Sequence, residues 1–479
     1  LNLLAGYSYL DHTYEGFGAQ RRSFDTDAFL YNNLGAGQDV RATDVNSFKG
    51  QSKLISFFGR ANYSYLNKYM LTASLRKDGS SRFGANNKWG LFPSTSFAWK
   101  VSEESFMKGS AGWLENLKLR IGYGITGNQD GIGEYKSLSL ISAGGAPYYD
   151  AETGTWKQSF GIVQNNNPNL KWESTAQFNI GVDFSMFNFI NGSFEIYHKK
   201  TSDLLYTYEV PQPPFLFGTI LANVGDLRNK GVELTLNANL LKKVDLNWNA
   251  TLTLSHNNQK IEKLSNETYQ TDAIVSGSLH GLPGMSGQFA QVIKEGFAVG
   301  TFWGPKSLGL DQNGQFIYAN NGEAQNLGNA QPKYNLGFST DLTYRKFDLQ
   351  VAAYGMFGQK VLNATNMVLS DPNRLPVNNA TNSSLTSGIS SNAAFSSHWI
   401  EDASFLRLQN VTVGYNIDTK NLGIEKFRIS LTGENLFVLT GYSGIDPEVN
   451  IDGLDNPGMD VFNYFPKTRT VSLGLNLSF

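Results

Sequence analysis

The sequence contains no cysteine, so disulfide bridges and thiolate metal sites are excluded. Charge is scarce as well. Only 17% of the 479 residues are charged and the formal net charge is -2, which gives the chain no electrostatic preference for nucleic acid. No run of about 18 consecutive apolar residues occurs, which excludes a transmembrane helix. A membrane-spanning β-strand stays possible, because it needs only about 9 to 11 residues of alternating character.

Enzymatic motifs are also missing. The five histidines are scattered without an HExxH or HxH pair, and neither a GxSxG elbow nor a Walker-type GxxxxGK[ST] loop occurs. The sequence therefore predicts a protein that is not an enzyme. The chain opens at Leu1 inside a strand-like pattern, with neither Met nor a signal sequence, and we expect that an upstream segment was removed.

The composition favours an all-β fold, since aromatic residues reach 13% and glycine reaches 49 residues. Alternation with a period of two is clearest in residues 177–186. One face of this segment is apolar: Phe178, Ile180, Val182, Phe184 and Met186. The other face is polar or small: Gln177, Asn179, Gly181, Asp183 and Ser185. Residues 244–255 and 333–344 alternate in the same way, as does the final run TVSLGLNLSF, which ends on Phe479. A terminal Phe on such a strand is typical of the assembly signal of outer-membrane barrels.

About fourteen strands are predicted, and the links between them alternate in length. The strands lie near 1–10, 53–65, 69–76, 89–100, 117–126, 175–187, 192–201, 230–240, 244–255, 333–344, 347–362, 404–417, 425–439 and 469–479. The shorter links are 66–68, 101–116, 188–191, 241–243, 345–346 and 418–424, and the longer ones are 11–52, 77–88, 127–174, 202–229, 256–332, 363–403 and 440–468. Short periplasmic turns and long extracellular loops are typical of an outer-membrane barrel, so we expect a periplasmic C-terminus. A soluble β-sandwich also alternates and is the competing interpretation of the strands alone.

Seven stretches match one known family in its own order. They read YMLTASLRKDGSSRFGANNKWGLFPSTSFAWK (69–100), LKLRIGYGITGNQ (117–129), NPNLKWESTAQFNIGVDF (167–184), NKGVELTL (229–236), ASFLRLQNVTVGYN (403–416), GENLFVLTGYSGIDPEV (433–449) and FPKTRTVSLGLNLSF (465–479). These stretches resemble the SusC/RagA-like TonB-linked outer-membrane transporters. Within the first stretch, Asp78-Gly79 is predicted to form a tight turn at the top of a hairpin.

The resemblance implies a transmembrane antiparallel β-barrel of about 22 strands with an N-terminal plug inside it. It also implies a segment that contacts TonB in the periplasm and a SusD-like surface lipoprotein that closes over the barrel as a lid. Residues 1–479 are then the C-terminal part of the barrel, with the plug and the N-terminal strands in a missing part or in another chain. Family members import oligosaccharides or peptides, using the proton gradient of the inner membrane through TonB.

Aromatic residues in the long loops are the candidates for substrate contact, because sugar rings and peptide side chains stack on Tyr and Trp. They are Tyr148, Tyr149, Trp156, Trp303, Trp399 and Tyr442. Other aromatic residues lie at strand ends and are assigned to the interfacial aromatic belt: Tyr63, Tyr65, Tyr69, Trp89 and Trp99.

No cofactor is expected. The one metal hypothesis is calcium at DQNGQF, where Asp311 and Asn313 have the spacing of an EF-hand, but Gln315 stands where an acid or Asn is needed. A plain Asn-Gly turn is the alternative there. An acidic tract in the last long loop could also hold calcium or contact the lid, or be a solvated loop: Asp446, Glu448, Asp452, Asp455 and Asp460.

Three functions compete. Active import through the outer membrane is the first, a passive porin is the second, and a secreted all-β adhesin is the third. The loop at 256–332 favours an importer with a lid, since a general porin has less need of such mass outside the membrane. The sequence motifs do not separate sugar from peptide importers.

Overall fold

The computed structural model describes residues 1–41, 44–110, 112–371, 375–376, 379–391, 394–419, 425–449, 456–461 and 465–479. One antiparallel sheet of fourteen strands dominates them. Its strands are β1 (Asn2–Ala19), β2 (Val45–Tyr65), β3 (Tyr69–Ser80), β4 (Trp89–Lys100), β5 (Leu114–Asn128), β6 (Glu173–Met186), β7 (Ile190–Glu209), β8 (Thr219–Lys243), β9 (Leu246–Lys263), β10 (Tyr334–Tyr344), β11 (Phe347–Phe357), β12 (Phe405–Ile417), β13 (Lys426–Thr440) and β14 (Thr470–Ser478). Neighbours in the chain are neighbours in the sheet throughout.

All fourteen predicted strands are confirmed. The links alternate between short and long with one exception: the link 101–113, predicted to be short, is longer than the link 81–88, because β3 extends to Ser80. Several strands are longer than predicted at the long-loop end, where β8 alone has 25 residues. The predicted strand 347–362 is shorter instead: β11 ends at Phe357, and Lys360–Asn363 belongs to a separate small sheet. The extra length escaped the sequence pattern because charged pairs replace the apolar alternation there. In the β1–β2 ribbon, for example, Lys49 lies 3.2 Å from Glu15 and Lys53 lies 3.6 Å from Asp11.

The register places the apolar side chains on one face of the sheet. Residues directly opposite each other in an antiparallel pair point to the same side. One row of such partners crosses six strands, β5 to β10: Leu119, Val182, Phe194, Leu234, Leu254 and Leu336. This face is therefore continuous and apolar, as a lipid-facing surface requires.

The opposite face is polar and carries ion pairs between strands. Arg120 on β5 donates to Asp183 on β6 at 2.8 Å and to Glu195 on β7 at 2.5 Å. Arg428 on β13 pairs with Asp348 on β11. A face that holds charges in this way belongs to the interior of a membrane barrel.

Two of the short links, 66–68 and 187–189, are tight turns with left-handed backbone. Leu66 and Asn67 have φ values of 50° and 54°, and Phe187 and Asn188 have values of 57° and 61°. Positive φ at both central residues matches the right-handed twist of the flanking strands, so these turns fix the register of their hairpins.

Asp78 and Gly79 do not form the turn that the sequence predicts. Both lie inside β3, where Asp78 pairs with Gly90 and Gly79 pairs with Trp89 on β4. Asp78 is buried and accepts a hydrogen bond from Nε of Arg76 at 2.8 Å. The paired strand and this partly buried ion pair outweigh the local turn preference of the dipeptide, and the link is residues 81–88 instead.

The long loops contain their own short elements. The loop strands are Ile141–Asp150, Thr155–Ile162, Ile274–Ser278, Phe289–Ile293, Thr301–Pro305, Ser307–Leu310, Phe316–Tyr318, Ala324–Asn329, Lys360–Asn363, Ile400–Asp402 and Met459–Asp460. The helices of the long loops are α1 (Ala364–Leu369) and the 3₁₀ turns Leu34–Ala36, Ala319–Gly322, Asn382–Thr386 and Ser397–Trp399, while the 3₁₀ turns Val101–Glu103 and Ser105–Ser110 lie in the link between β4 and β5. In the described part of the chain, none of these helices is long and apolar enough to cross a membrane.

Candidate functional site

Three long loops, after β9, β11 and β13, pack into a folded unit that we call the loop cap. Ile274–Ser278, Phe289–Ile293, Thr301–Pro305 and Ala324–Asn329 form a four-stranded sheet in it, and Lys360–Asn363 pairs with both Ile400–Asp402 and Met459–Asp460. The apolar core of the cap consists of Leu279, Leu282, Met285, Ala290, Phe302, Ala330, Leu362, Ala364, Met367, Val368, Ile389, Phe395, Trp399 and Met459. Because all three loops contribute to one core, the cap is a folded unit with a defined surface at one end of the sheet.

Two of the predicted aromatic contacts are buried inside the cap. Trp399 is 3% exposed, and its ring nitrogen donates to the Ala394 carbonyl at 3.1 Å. Tyr442 is 6% exposed, and its hydroxyl donates to Asp460 at 2.5 Å. Burial raises the pKa of Tyr442, and burial also raises the pKa of Asp460 against the lowering effect of this hydrogen bond. Both rings stabilise the cap and are closed to a ligand in this structure.

Trp303 is more exposed than these two buried rings. It is half-buried, with its ring edge-on to Phe297 at a centroid distance of 5.5 Å. The ammonium of Lys294 lies 5.0 Å from the ring centroid. A cation already occupies one face of this indole, which leaves less of the ring for stacking on a substrate.

The other three candidates lie on a β-hairpin of the loop after β5, formed by Ile141–Asp150 and Thr155–Ile162. Tyr149 and Trp156 are directly paired, with their rings 5.6 Å apart, and are 56% and 69% exposed. Tyr148 pairs with Lys157 on the opposite face. The face that carries Tyr149 and Trp156 also carries further exposed apolar side chains: Ile141, Ala143, Phe160 and Ile162. We call this surface the hairpin face.

The six candidates therefore do not converge on one site. The apolar neighbours of Tyr149 and Trp156 were missed in the sequence, although Phe160 and Ile162 alternate with Trp156 along one strand. That period of two was the signal that could have found the hairpin face.

A buried charge cluster fastens the last long loop to the sheet. Nη2 of Arg407 on β12 donates to Asp446 at 2.6 Å, and its Nε forms an ion pair with Glu448 at 2.8 Å. Glu448 also accepts hydrogen bonds from Tyr354 at 2.6 Å and from Lys467 at 2.8 Å. The acidic tract of the sequence therefore has a structural part in Asp446 and Glu448.

The remaining acids of the tract do not complete a metal site among the described residues. Asp460 is engaged with Tyr442 and Thr365, while 452 and 455 lie outside the residues that the structure describes. At DQNGQF, the Asp311 carboxylate accepts from the backbone N–H groups of Asn313 and Gln315, each at 2.8 Å, as in a capped turn. No group of three or more potential ligands from His, Asp and Glu occurs in the described ranges.

Two of the family-like stretches, 69–100 and 167–184, contact each other at the long-loop end of the sheet. The Gly84 N–H donates to the Leu170 carbonyl at 2.9 Å, and a Cβ on Gly84 would lie 1.7 Å from the Pro168 carbonyl oxygen. Phe83 and Trp172 pack beside this contact with ring centroids 4.5 Å apart. Glycine is required at residue 84 because the two backbones touch, which gives a physical reason for the RFG and NPNLKW sequences.

The strand-end aromatic residues also have structural roles. At the short-turn end, the Glu104 carboxylate accepts from Tyr69 at 2.6 Å and from the ring nitrogen of Trp99 at 3.1 Å. The hydrogen bond from Tyr69 lowers the pKa of Glu104. At the long-loop end, Trp89 stacks on Phe57 with a centroid distance of 6.3 Å. These positions at the two ends of the apolar face fit the interfacial belt.

The fold and its loops define an outer-membrane β-barrel. A family profile described as TonB dependent receptor-like, beta-barrel, matches residues 2–436, and the chain belongs to this family. Its members are receptors and transporters of the bacterial outer membrane, not enzymes.

Two relatives confirm the resemblance to the SusC/RagA group. TonB-dependent receptor P3 of Formosa agariphila is 32% identical over all of this chain and 50% of its own length. TonB-dependent receptor SusC of Bacteroides thetaiotaomicron is 30% identical over 92% of this chain and 45% of its own length. The chain thus spans about half the length of these relatives.

A solved structure shares the fold. The structure of the RagAB peptide transporter superposes with a TM-score of 0.81 at 23% identity, covering 100% of this chain and 53% of the other. At that identity the likeness concerns the fold alone.

Proposed function

We propose that this chain is the strand and loop part of an importer that takes up nutrient oligomers, glycan oligosaccharides or peptides, through the outer membrane. The observation that carries the proposal is the loop cap, which covers one end of a sheet whose inner face is polar. An open pore has no need of such a folded cap. In the proposed orientation, the long loops and their cap are extracellular, and the short turns and the end of β14 are periplasmic.

The proposal includes a plug and a contact with TonB, supplied by another part of the protein or by a separate chain. In the described residues, β1 and β14 form the two ends of the sheet and are not paired with each other. Unpaired backbone groups are costly in lipid, so each of these strands needs a further strand as partner. A full barrel of about 22 strands supplies those partners and encloses the plug.

Uptake measured in intact cells tests the proposal. We expect the whole protein to support accumulation of labelled oligosaccharides or peptides, and we expect accumulation to stop when TonB is deleted or an uncoupler is added. A passive porin instead equilibrates the label without regard to the proton gradient. Recovery of the protein in the soluble fraction without detergent would favour the adhesin and contradict the importer.

We further propose that the hairpin face docks a SusD-like lipoprotein lid. Exposed Ile141, Trp156, Phe160 and Ile162 form a largely apolar strip, which the amide of Gln158 interrupts between Trp156 and Phe160. Such a strip suits a protein surface better than an oligosaccharide, which needs polar partners. An isolated two-stranded hairpin is also marginally stable, and a partner that covers one face would stabilise it.

Replacing Trp156 and Phe160 with serine is expected to release the lid. Hot-spot aromatic residues typically contribute about 2 kcal/mol or more each, so losing one of them lowers affinity about 30-fold and losing both should lower it roughly 700-fold. Co-purification of the lipoprotein with the tagged importer measures this. The matched control is Tyr148→Ser on the opposite face of the hairpin. If the lid stays bound while oligomer binding weakens, the hairpin face contacts substrate and the docking proposal is wrong.

The role of Phe479 as the assembly signal stays a prediction. It is 83% exposed and follows the end of β14, so it adds little to the finished fold. We expect its deletion to lower the amount of protein inserted in the membrane several-fold, while the inserted fraction keeps its resistance to heat in detergent gels. Phe479→Tyr keeps an aromatic ring at the end of β14 and is the control. Normal insertion without Phe479 would contradict the prediction.

A further inference from the structure

The apolar face of β6–β11 carries two adjoining grooves. The larger has a volume of about 500 Å³ and is bounded chiefly by Phe194, Leu234, Leu254, Leu336 and Phe357. The smaller has a volume of about 380 Å³ and lies between Phe178, Ile180 and Ile196. Val232 and His256 border both grooves. The grooves therefore form one continuous apolar depression on the lipid-facing side.

Cationic side chains lie directly above this depression, toward the long loops. His198 is opposite Lys230, and Lys230 is opposite Asn258. One row higher, Arg228 is opposite Lys200 and Lys260. The register does not shift between these rows and Val232, so the cationic side chains share the face of the grooves.

Part of this charge is free to bind a ligand. Lys200 pairs with Asp226 at 3.2 Å, and Arg228 pairs with Glu262 at 2.8 Å. Lys230 and Lys260 are exposed and form no ion pair within the described residues. The smaller groove reaches His198 and Lys230. Two uncompensated ammonium groups thus stand at the upper edge of the apolar band.

We propose that this surface binds an acylated, phosphorylated lipid of the outer leaflet. The grooves take acyl chains, and Lys230, Lys260 and His198 face the phosphate. Charge complementarity carries the choice of ligand, because a membrane component that is apolar below and anionic at this level has both features. The inference requires the sheet to span the membrane with its long loops outside, and it does not depend on transport activity.

Binding of lipid A, a phosphorylated and multiply acylated glucosamine disaccharide, tests the proposal on the whole protein in phosphatidylcholine nanodiscs. Each lysine near an anionic lipid contributes about a fivefold gain in affinity, so K230Q/K260Q should bind roughly 25-fold more weakly. The control K49Q/K53Q removes two lysines of β2 that also lie toward the long loops. Unlike Lys230 and Lys260, they are already paired with Glu15 and Asp11. We expect the control to bind as the unchanged protein does.

A second variant tests the grooves independently of charge. Val232→Trp fills the junction of both grooves and is expected to weaken lipid A binding, whereas excess inorganic phosphate should not displace the lipid. The shift of the folded band in an unheated detergent gel checks that every variant is assembled. Lipid A affinity unchanged in K230Q/K260Q, or unchanged in Val232→Trp, overturns the proposal, as does full displacement by inorganic phosphate. Because binding is measured without uptake, its failure is distinct from failure of the importer proposal.

Discussion

Replacing Arg407 with alanine is expected to lower the free energy of unfolding by about 3 to 5 kcal/mol. The side chains of Arg407 and Asp446 are 4% and 5% exposed, and the two are 2.6 Å apart. Removing the guanidinium leaves the Asp446 carboxylate buried without its counter-ion, and Glu448 loses an ion pair while it keeps its hydrogen bonds from Tyr354 and Lys467. The large cost comes from this stranded charge and not from the loss of an attraction as such.

Denaturant unfolding of the lipid-embedded protein measures the effect, and limited proteolysis of residues 441–449 reports whether the loop detaches. Arg345→Ala is the matched control, because its partner Asp245 is at 3.5 Å and both side chains are more than half exposed. We expect that control to cost less than about 1 kcal/mol. The double variant R407M/D446N removes both charges and should recover part of the loss. An R407A variant as stable as the control would contradict the role of the cluster.

The sheet could be predicted because its pattern is local and repeats. Strand alternation needs only neighbours at a spacing of two, and the tight turns need only two residues with positive φ, as at Leu66 and Asn67. Asp78-Gly79 shows the limit of local reasoning. Its turn preference is real, but its pairing with Gly90 and Trp89 on β4 is a contact that residues 76–79 alone do not reveal.

The loop cap was beyond prediction because its contacts join distant parts of the chain. Trp156 and Trp399 are both tryptophans in long loops, yet one is 69% exposed and the other is 3% exposed. The difference arises from residues such as Phe316, which packs edge-on to Trp399 from another loop. Sequence spacing carries no information on which loop covers which ring.

Contacts in the structure explain why several residues of the family-like stretches are needed, which the sequence alone does not show. The sequence TGYSGIDPEV supplies Asp446 and Glu448 to Arg407, which itself lies in FLRLQNVTVGYN. Likewise, Gly84 meets Pro168 backbone to backbone. In each case a contact between two of the stretches holds a long loop in place. These sequences therefore have a structural role in positioning the loops and need not touch a substrate.

Replacing Val182 with arginine is expected to destabilise the barrel by about 2 to 4 kcal/mol, as for a cation near the bilayer midplane. Val182 lies between Leu119 and Phe194 in the apolar row. The matched control is Asn179→Arg on the same strand, whose side chain faces the polar side near Gly122. We expect the control to cost little, because water or polar groups can solvate the guanidinium there. Reversible unfolding in lipid vesicles gives both free energies. Equal costs for the two variants would mean that the apolar face is not the lipid face, and a larger cost for Asn179→Arg would reverse the assignment of the two sides.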